Sequence, residues 1–102
     1  MKKLNFSIGT IFQKLVWKEI AKIPKGRVIT YQDLAFKINR PKSIRAVASA
    51  CGKNPFLPEV PCHRVVRKDG NLGGYSASGG INKKKEILEN EGHRFIKDKI
   101  IF

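Results

Sequence analysis

Three prolines, Pro55, Pro58 and Pro61, fall between Asn54 and Pro61. Each lacks a backbone N–H and fixes φ near about −65°, so no regular helix or strand can run through this stretch. It predicts a stiff loop. The loop leads directly into Cys62 and would hold that sulfur in one place.

Helical patterning precedes it. Thr10-Ile11-Phe12-Gln13 has the form of a capping box, and Ile11, Phe12, Leu15, Val16, Ile20 and Ile23 recur at helical spacing. Pro24-Lys25-Gly26 ends that helix, and Arg27-Val28-Ile29 is a short β-like stretch. Thr30-Tyr31-Gln32-Asp33 is a second N-terminal signature, with Leu34, Ala35 and Ile38 as the buried face of a short helix. After the turn Asn39-Arg40-Pro41, Ile44, Val47, Ala48 and Cys51 form the inner face of a third helix, which Gly52 stops. Its opposite face carries Lys42, Arg45, Ser49 and Lys53, with Ala46 and Ala50 beside it. Two short helices joined by a tight turn form a helix-turn-helix pattern. Beyond the loop, Cys62 to Arg67 reads as β-like and Asp69-Gly70 as a turn. Leu72 to Gly80 reads as a glycine-rich loop able to close on a ligand, and Ile81 to Glu91 as a helix ended by Gly92. Phe95-Ile96 and Ile100-Ile101-Phe102 suit a hairpin turning at Asp98.

With 102 residues, 41% of them apolar, the chain reads as one domain, 1–102, with a small packed core. Its apolar runs are too short to span a membrane. Met1-Lys2-Lys3 resembles a signal-peptide start, but Asn5, Ser7, Gly9 and Thr10 interrupt any apolar region behind it. A soluble, cytoplasmic monomer is expected. Two cysteines exclude a disulfide framework and a four-cysteine zinc site; no metal and no cofactor is expected. The net charge of +13 points to a polyanionic partner. Residues 37–68 concentrate it: Lys37, Arg40, Lys42, Arg45, Lys53, Arg64, Arg67 and Lys68 face Glu59 alone.

A free thiol is only a few per cent thiolate at neutral pH. His63 and Arg64, adjacent to Cys62 in a basic domain, favour the anion, so Cys62 is either a nucleophile or a buried structural cysteine. Cys51, on the apolar helix face, reads as core.

Pro61-Cys62-His63-Arg64-Val65-Val66 resembles the acceptor-cysteine signature of the O6-alkylguanine-DNA alkyltransferases. Gly26-Arg27-Val28-Ile29-Thr30-Tyr31-Gln32-Asp33-Leu34-Ala35, Arg45-Ala46-Val47, Gly52-Lys53-Asn54-Pro55, Gly73-Gly74-Tyr75-Ser76 and Glu91-Gly92-His93-Arg94 agree in order and spacing, from about Gly9 to Arg94. The resemblance implies a mainly α domain with small β elements, winged-helix-like, without the N-terminal domain that family members often carry. It implies that the recognition helix enters the minor groove of double-stranded DNA and that an O6-alkylguanine is flipped into a pocket. Cys62 would be the alkyl acceptor, His63 its activator through a water, and Glu91 the carboxylate orienting His63. Asn54 would brace the site, Tyr31 would flip the base and donate a proton, and Arg45 would fill the vacated stack. Val65, Tyr75 and Ser76 would line the base pocket, with Ala77 or Ser78 as alternatives to Ser76 at the guanine O6. Read without the resemblance, Arg45 fits an ordinary phosphate contact and Glu91 a surface acid.

Three alternatives compete. A non-enzymatic lesion binder of the alkyltransferase-like kind typically has tryptophan where Cys62 stands. A plain helix-turn-helix protein leaves the proline-braced Cys62-His63 pair unexplained. A cysteine hydrolase needs an oxyanion-hole motif that is not apparent.

Overall fold

The computed structural model describes residues 8–57, 59–75 and 79–102. Helix α1 (Ile11–Ile20) opens with the reciprocal cap that the sequence predicts. Gln13 N–H donates to Thr10 Oγ1 at 3.0 Å, and Thr10 N–H donates to Gln13 Oε1 at 2.9 Å. The buried side of α1 is Val16, Trp17 and Ile20. This corrects the predicted stripe, because Ile11 is 81 % exposed. At 3.6 residues per turn Ile11 stands half a turn around the helix from Ile20. Trp17, which the stripe passes over, fills the core instead. Its Nε1–H donates to the Ala50 carbonyl at 2.8 Å, so the buried indole is both packed and paired.

Strand β1 (Ile29–Thr30) runs straight into helix α2 (Tyr31–Lys37). Thr30 serves both, its Oγ1 accepting from Asp33 N–H at 3.0 Å as the helix cap. Leu34, Ala35 and Ile38 are buried as expected. The chain turns at Asn39, with φ at 60°, and enters helix α3 (Ile44–Gly52). Helices α1, α2 and α3 enclose the main core of Val16, Trp17, Ile20, Leu34, Val47 and Ala50. The inner face of α3 is Val47, Ala50 and Cys51, and Ile44 and Ala48 are exposed. The expected face was centred too far round, since the Trp17–Ala50 hydrogen bond is made on the Ala50 side.

Asn54–Leu57 and Glu59–Pro61 form no helix or strand. Cys62–Arg64 make a single 3₁₀ turn, a correction to the β-like reading. Arg64 N–H folds back to the Pro61 carbonyl at 2.9 Å. Only β2 (Val65–Val66) is extended, pairing in parallel with β1, Ile29 opposite Val65 and Thr30 opposite Val66. Helix α4 (Gly80–Asn90) follows, then the antiparallel hairpin of β3 (Phe95–Ile96) and β4 (Lys99–Ile100). Lys97 and Asp98 turn it with φ of 50° and 64°, the paired positive values of a two-residue type I′ turn. Val66, Leu72, Leu88 and Ile100 form a second, smaller core. The result is mainly α with small β elements, a helix-turn-helix pair (α2 and α3) with a hairpin beyond it. No helix of the described residues is long and apolar enough to cross a membrane.

Trp17→Phe keeps an aromatic ring but removes the indole donor and part of the buried volume, leaving the Ala50 carbonyl only the bond from Lys53 N–H at 3.2 Å, a loss of about 1–3 kcal/mol. For a domain of this size that lowers the melting temperature by on the order of 10 °C. Ile11→Ser, on the solvent side, leaves it within about 3 °C. Thermal melts followed by circular dichroism check both; a large loss from Ile11→Ser contradicts the assigned face of α1.

Candidate active site

A cavity of about 640 Å³ opens between α2, α3 and the loops around Cys62 and Gly74. Its lining includes Tyr31 from α2, Arg45, Ala48 and Cys51 from α3, then Cys62, Arg67 and Tyr75. This size lies within the range of small-molecule pockets. Cys62 is buried at the bottom of the stiff loop, 4 % exposed. The loop holds it through Asn54, whose carboxamide is fully used. Asn54 Nδ2 donates to Cys62 Sγ at 3.1 Å and to the Val60 carbonyl at 2.7 Å, and Oδ1 accepts from Phe56 N–H at 2.8 Å. The Cys62 thiol is held below its ordinary range first by the neighbouring Cys51 thiol, then by the Asn54 hydrogen bond and the positive charge of Lys84, while burial opposes them.

Behind the cysteine stands an ion-paired relay. His63 Nε2 lies 3.0 Å from Glu91 Oε2. Arg64 grips the same carboxylate with Nε at 3.1 Å from Oε1 and Nη2 at 2.8 Å from Oε2, and its Nη1 donates to the Ile23 carbonyl at 2.8 Å. Burial raises the Glu91 carboxyl, but Arg64 and then His63 more than offset this and bring it down to about 2. The ionised carboxylate can only accept, so His63 carries its proton on Nε2. Nδ1 is buried without a hydrogen-bond partner among the described residues. Burial pushes the imidazole below its ordinary value despite Glu91, which keeps His63 neutral and able to take a proton at neutral pH.

Lys84 was not among the residues that the sequence singles out. It is completely buried. Its Nζ donates to the Val65 carbonyl at 2.7 Å, to the Leu72 carbonyl, to the Gly74 carbonyl at 3.3 Å and to Tyr31 Oη at 3.4 Å. Burial lowers its pKa to about 8. The available signal was its place one turn before the buried Leu88, a cation on the inner face of α4. Tyr31 is buried in the cavity and its hydroxyl is raised, first by desolvation and then by the two cysteines. Gly73 lets the loop close over it. A Cβ there would come 2.9 Å from Tyr31 Oη, and its φ of +73° is one that other residues rarely adopt.

Tyr31, Arg45, Cys62 and Tyr75 therefore meet at one cavity, with His63, Glu91 and Asn54 packed behind Cys62. The His63 and Tyr75 rings meet edge to face, centroids 6.5 Å apart. Val65 is not brought to the cavity by its side chain, which packs in the main core; its carbonyl serves Lys84. Ser76, Ala77 and Ser78 lie outside the described residues. Lys42, Arg45, Ser49 and Lys53 are all exposed on the outer side of α3. Arg64, counted in the basic cluster and as a neighbour favouring the Cys62 anion, is instead committed to Glu91 and Ile23.

Both relay members tie stability to pH in the same direction. A folded pKa below the unfolded one gives stability that is present above the unfolded value and lost as pH falls through the folded one. For Glu91 that loss runs from 4.5 down to about 2, and for His63 it begins below 6.5. The Glu91 share is at most about 3 kcal/mol. Urea unfolding from pH 7 to pH 2.5 is expected to show a progressive acid loss in the native protein and a shallower one in Glu91→Gln below pH 4.5. Parallel curves contradict the buried pairing.

A family model described as 6-O-methylguanine DNA methyltransferase, DNA binding domain, matches residues 11–93. The chain is 53% identical over 83 residues to a probable methylated-DNA–protein-cysteine methyltransferase of Acanthamoeba polyphaga mimivirus, covering 81% of this chain and 54% of that one. It spans between about a quarter and about half the length of the curated relatives it matches. Its fold is similar to that of Mycobacterium tuberculosis OGT in complex with DNA, with a TM-score of 0.78 and 46% identity over 82% of this chain and 51% of that one. Atl1 of S. pombe, in complex with damaged DNA containing O6-carboxymethylguanine, gives 0.73 at 28% identity over 87% and 84%. The chain belongs to the 6-O-methylguanine DNA methyltransferase family, whose DNA-binding domain it matches over most of its length.

Proposed function

We propose that this protein repairs DNA by direct reversal, moving the alkyl group of an O6-alkylguanine onto Cys62. The observation that carries this reading is the arrangement around one sulfur: a Cys62 thiol bonded by Asn54, backed by the His63–Glu91 pair, in a cavity that Arg45 also lines. Attack on a saturated carbon needs a soft nucleophile, and a thiolate is one. His63 Nδ1 receives the thiol proton through one intervening water, and Glu91 stabilises the resulting imidazolium. The sulfur bonds to the alkyl carbon as the carbon–oxygen bond breaks. The electron pair goes to the guanine, where Tyr31 protonates a ring nitrogen, and the buried ammonium of Lys84 beside Tyr31 favours the phenolate left behind. The product thioether has no carbonyl for water to attack, so each molecule repairs one lesion and stops.

Cys62 cannot reach a base that stays stacked. The guanine must therefore be flipped out of the duplex, at a cost of a few kcal/mol. In this reading α3 enters the minor groove, Lys42, Ser49 and Lys53 meet phosphates, and Arg45 occupies the gap left by the base. A binder of alkylated guanine with no transfer activity is the second reading, favoured by the likeness to Atl1 and its damaged-DNA complex. Cys62 weighs against it.

Incubation with an O6-methylguanine duplex is expected to add one methyl group to Cys62, read by peptide mass spectrometry. Cys62→Ser abolishes transfer and retains DNA binding. Methyl on Cys51, or many turnovers per molecule, overturns the proposal; binding with no methyl on either cysteine supports the second reading.

DNA affinity is expected to fall steeply with salt, each neutralised phosphate adding roughly 0.9 to the log–log slope. Lys42→Ala lowers that slope and weakens binding to intact and damaged duplex alike. Arg45→Ala slows transfer from a paired lesion more than from a single-stranded one, where flipping is already cheap. Equal losses on the two substrates reduce Arg45 to a phosphate contact.

A further inference from the structure

His63 meets a carboxylate that already has a partner. Glu91 stands at the C-terminal cap of α4, where the helix dipole is negative and a carboxylate is poorly placed. Arg64 compensates. Its Nε donates to Oε1 at 3.1 Å and its Nη2 to Oε2 at 2.8 Å, while His63 Nε2 donates to Oε2 at 3.0 Å. Water is largely kept from all three side chains, which are 15 %, 8 % and 4 % exposed for Arg64, Glu91 and His63. The remaining arm of Arg64, Nη1, donates to the Ile23 carbonyl at 2.8 Å. That carbonyl lies just beyond α1 and anchors the guanidinium against the carboxylate.

The charges of this trio decide the state of His63. Arg64 and Glu91 together carry no net charge, so a neutral His63 leaves the group balanced. A proton taken from solvent would add an uncompensated positive charge to a buried site, on the same side of the fold as the Lys84 ammonium. Without Arg64 the preference reverses, because a lone Glu91 carboxylate would draw a proton onto His63 and make an ion pair. A proton from Cys62 differs from one from solvent. It leaves a negative sulfur on the residue next to His63, and the local charge does not change. We propose that Arg64 is a positioning residue for the relay: by occupying both oxygens of Glu91 it cancels the charge of the carboxylate, so that His63 stays an uncharged base and takes its proton from Cys62. This inference rests on reading Cys62 as the acceptor.

The other groups around His63 agree with this assignment. Burial comes first in holding the imidazole uncharged, Arg64 and then Lys84 of α4 add to it, and Glu91 alone opposes them. From the glycine-rich loop, the Tyr75 ring meets His63 edge to face. Its hydroxyl is pushed up, first by desolvation and then by Cys62, so it brings no charge. A role in charge leaves a signature that packing alone does not. Loss of the guanidinium raises the midpoint of His63. Loss of a mere brace leaves that midpoint alone or, by letting Glu91 drift away, lowers it.

The test compares Arg64→Gln, which keeps a hydrogen-bond donor without the charge, with Arg64→Lys, which keeps the charge. The ring nitrogens of His63 are followed against pH by NMR of protein labelled with ¹⁵N-histidine, and His93→Gln separates the signals of the two histidines. Arg64→Gln is expected to raise the His63 midpoint by about one unit or more, and Arg64→Lys to restore most of the shift. An unmoved or lowered midpoint in Arg64→Gln overturns the role, as does a shift that Arg64→Lys leaves in place. The unmutated protein gives an independent reading if a variant does not fold. A neutral ring at pH 7 with its proton on Nε2 supports the proposal; an imidazolium at that pH, or a proton on Nδ1, overturns it. None of these readouts uses DNA. A raised midpoint in Arg64→Gln, without methyl transfer from DNA by the unmutated protein, removes the acceptor reading and leaves the charge balance standing; transfer with an unmoved midpoint does the reverse.

Discussion

The buried ammonium of Lys84 ties the two halves of the fold together. An unpaired charge in an apolar interior is very costly, so it must be surrounded by acceptors. Lys84 brings its acceptors from three separate places: the end of the 62–65 segment through Val65, the following loop through Leu72 and Gly74, and α2 through Tyr31. Neither the 62–65 segment nor the 72–74 loop is long enough to hold its place by regular hydrogen bonding. The strands have two residues each. A cation inside a ring of carbonyls fixes them relative to α4, and the cavity wall at Gly73–Gly74 follows from that.

The other wall depends on Trp17. Its bond to Ala50 sets the rotation of α3 about its own axis, which puts Cys51 inward, Arg45 at the cavity mouth and Lys42, Ser49 and Lys53 outward. Glu91 completes the frame from the far end of the sequence. Arg64 holds it in a two-point grip, so the carboxylate is already charged and aimed when it reaches His63. In this sense Arg64 acts on the site through Glu91 and has no need to touch the sulfur.

Features set by neighbours in sequence were legible before any coordinates. The Thr10–Gln13 cap, the Thr30 start of α2, the Gly92 stop and the hairpin turn at Asp98 each express a local preference of backbone or cap. The resemblance placed Cys62, His63, Glu91, Asn54, Tyr31, Arg45 and Tyr75, and the structure groups all seven around one sulfur and its cavity. What stayed hidden depends on partners distant in sequence. Apolar spacing could not choose between Ala48 and Ala50 as the inner residue of α3, since both alanines fit and only Trp17, 33 positions earlier, decides. Lys84 sits among five successive polar residues, Asn82 to Glu86, and reads as solvated until Val65, Leu72 and Tyr31 surround it. Arg64 looks like part of a basic surface until Glu91 arrives, 27 positions later.

On the proposed reading, these constraints also explain why so reactive a group can be safe. A thiolate stabilised by a donor such as Asn54 is a weaker nucleophile than a free one of high pKa, and its burial keeps large electrophiles out. Its advantage appears only when a flipped guanine brings an alkyl carbon within reach and Tyr31 stands ready to protonate the leaving base. The energy needed to extrude a guanine is smallest where its pairing is already weakened, as it is for a base alkylated at O6. Selectivity then arises in two steps that different residues control. The outer face of α3 holds any duplex, Arg45 and the weakened pairing of the lesion favour entry of the altered base, and the Cys62 environment determines what happens to it. A protein with the first set alone would bind alkylated DNA and release it unchanged. The difference between binder and repair protein on this scaffold reduces to one sulfur and the few groups that keep it charged.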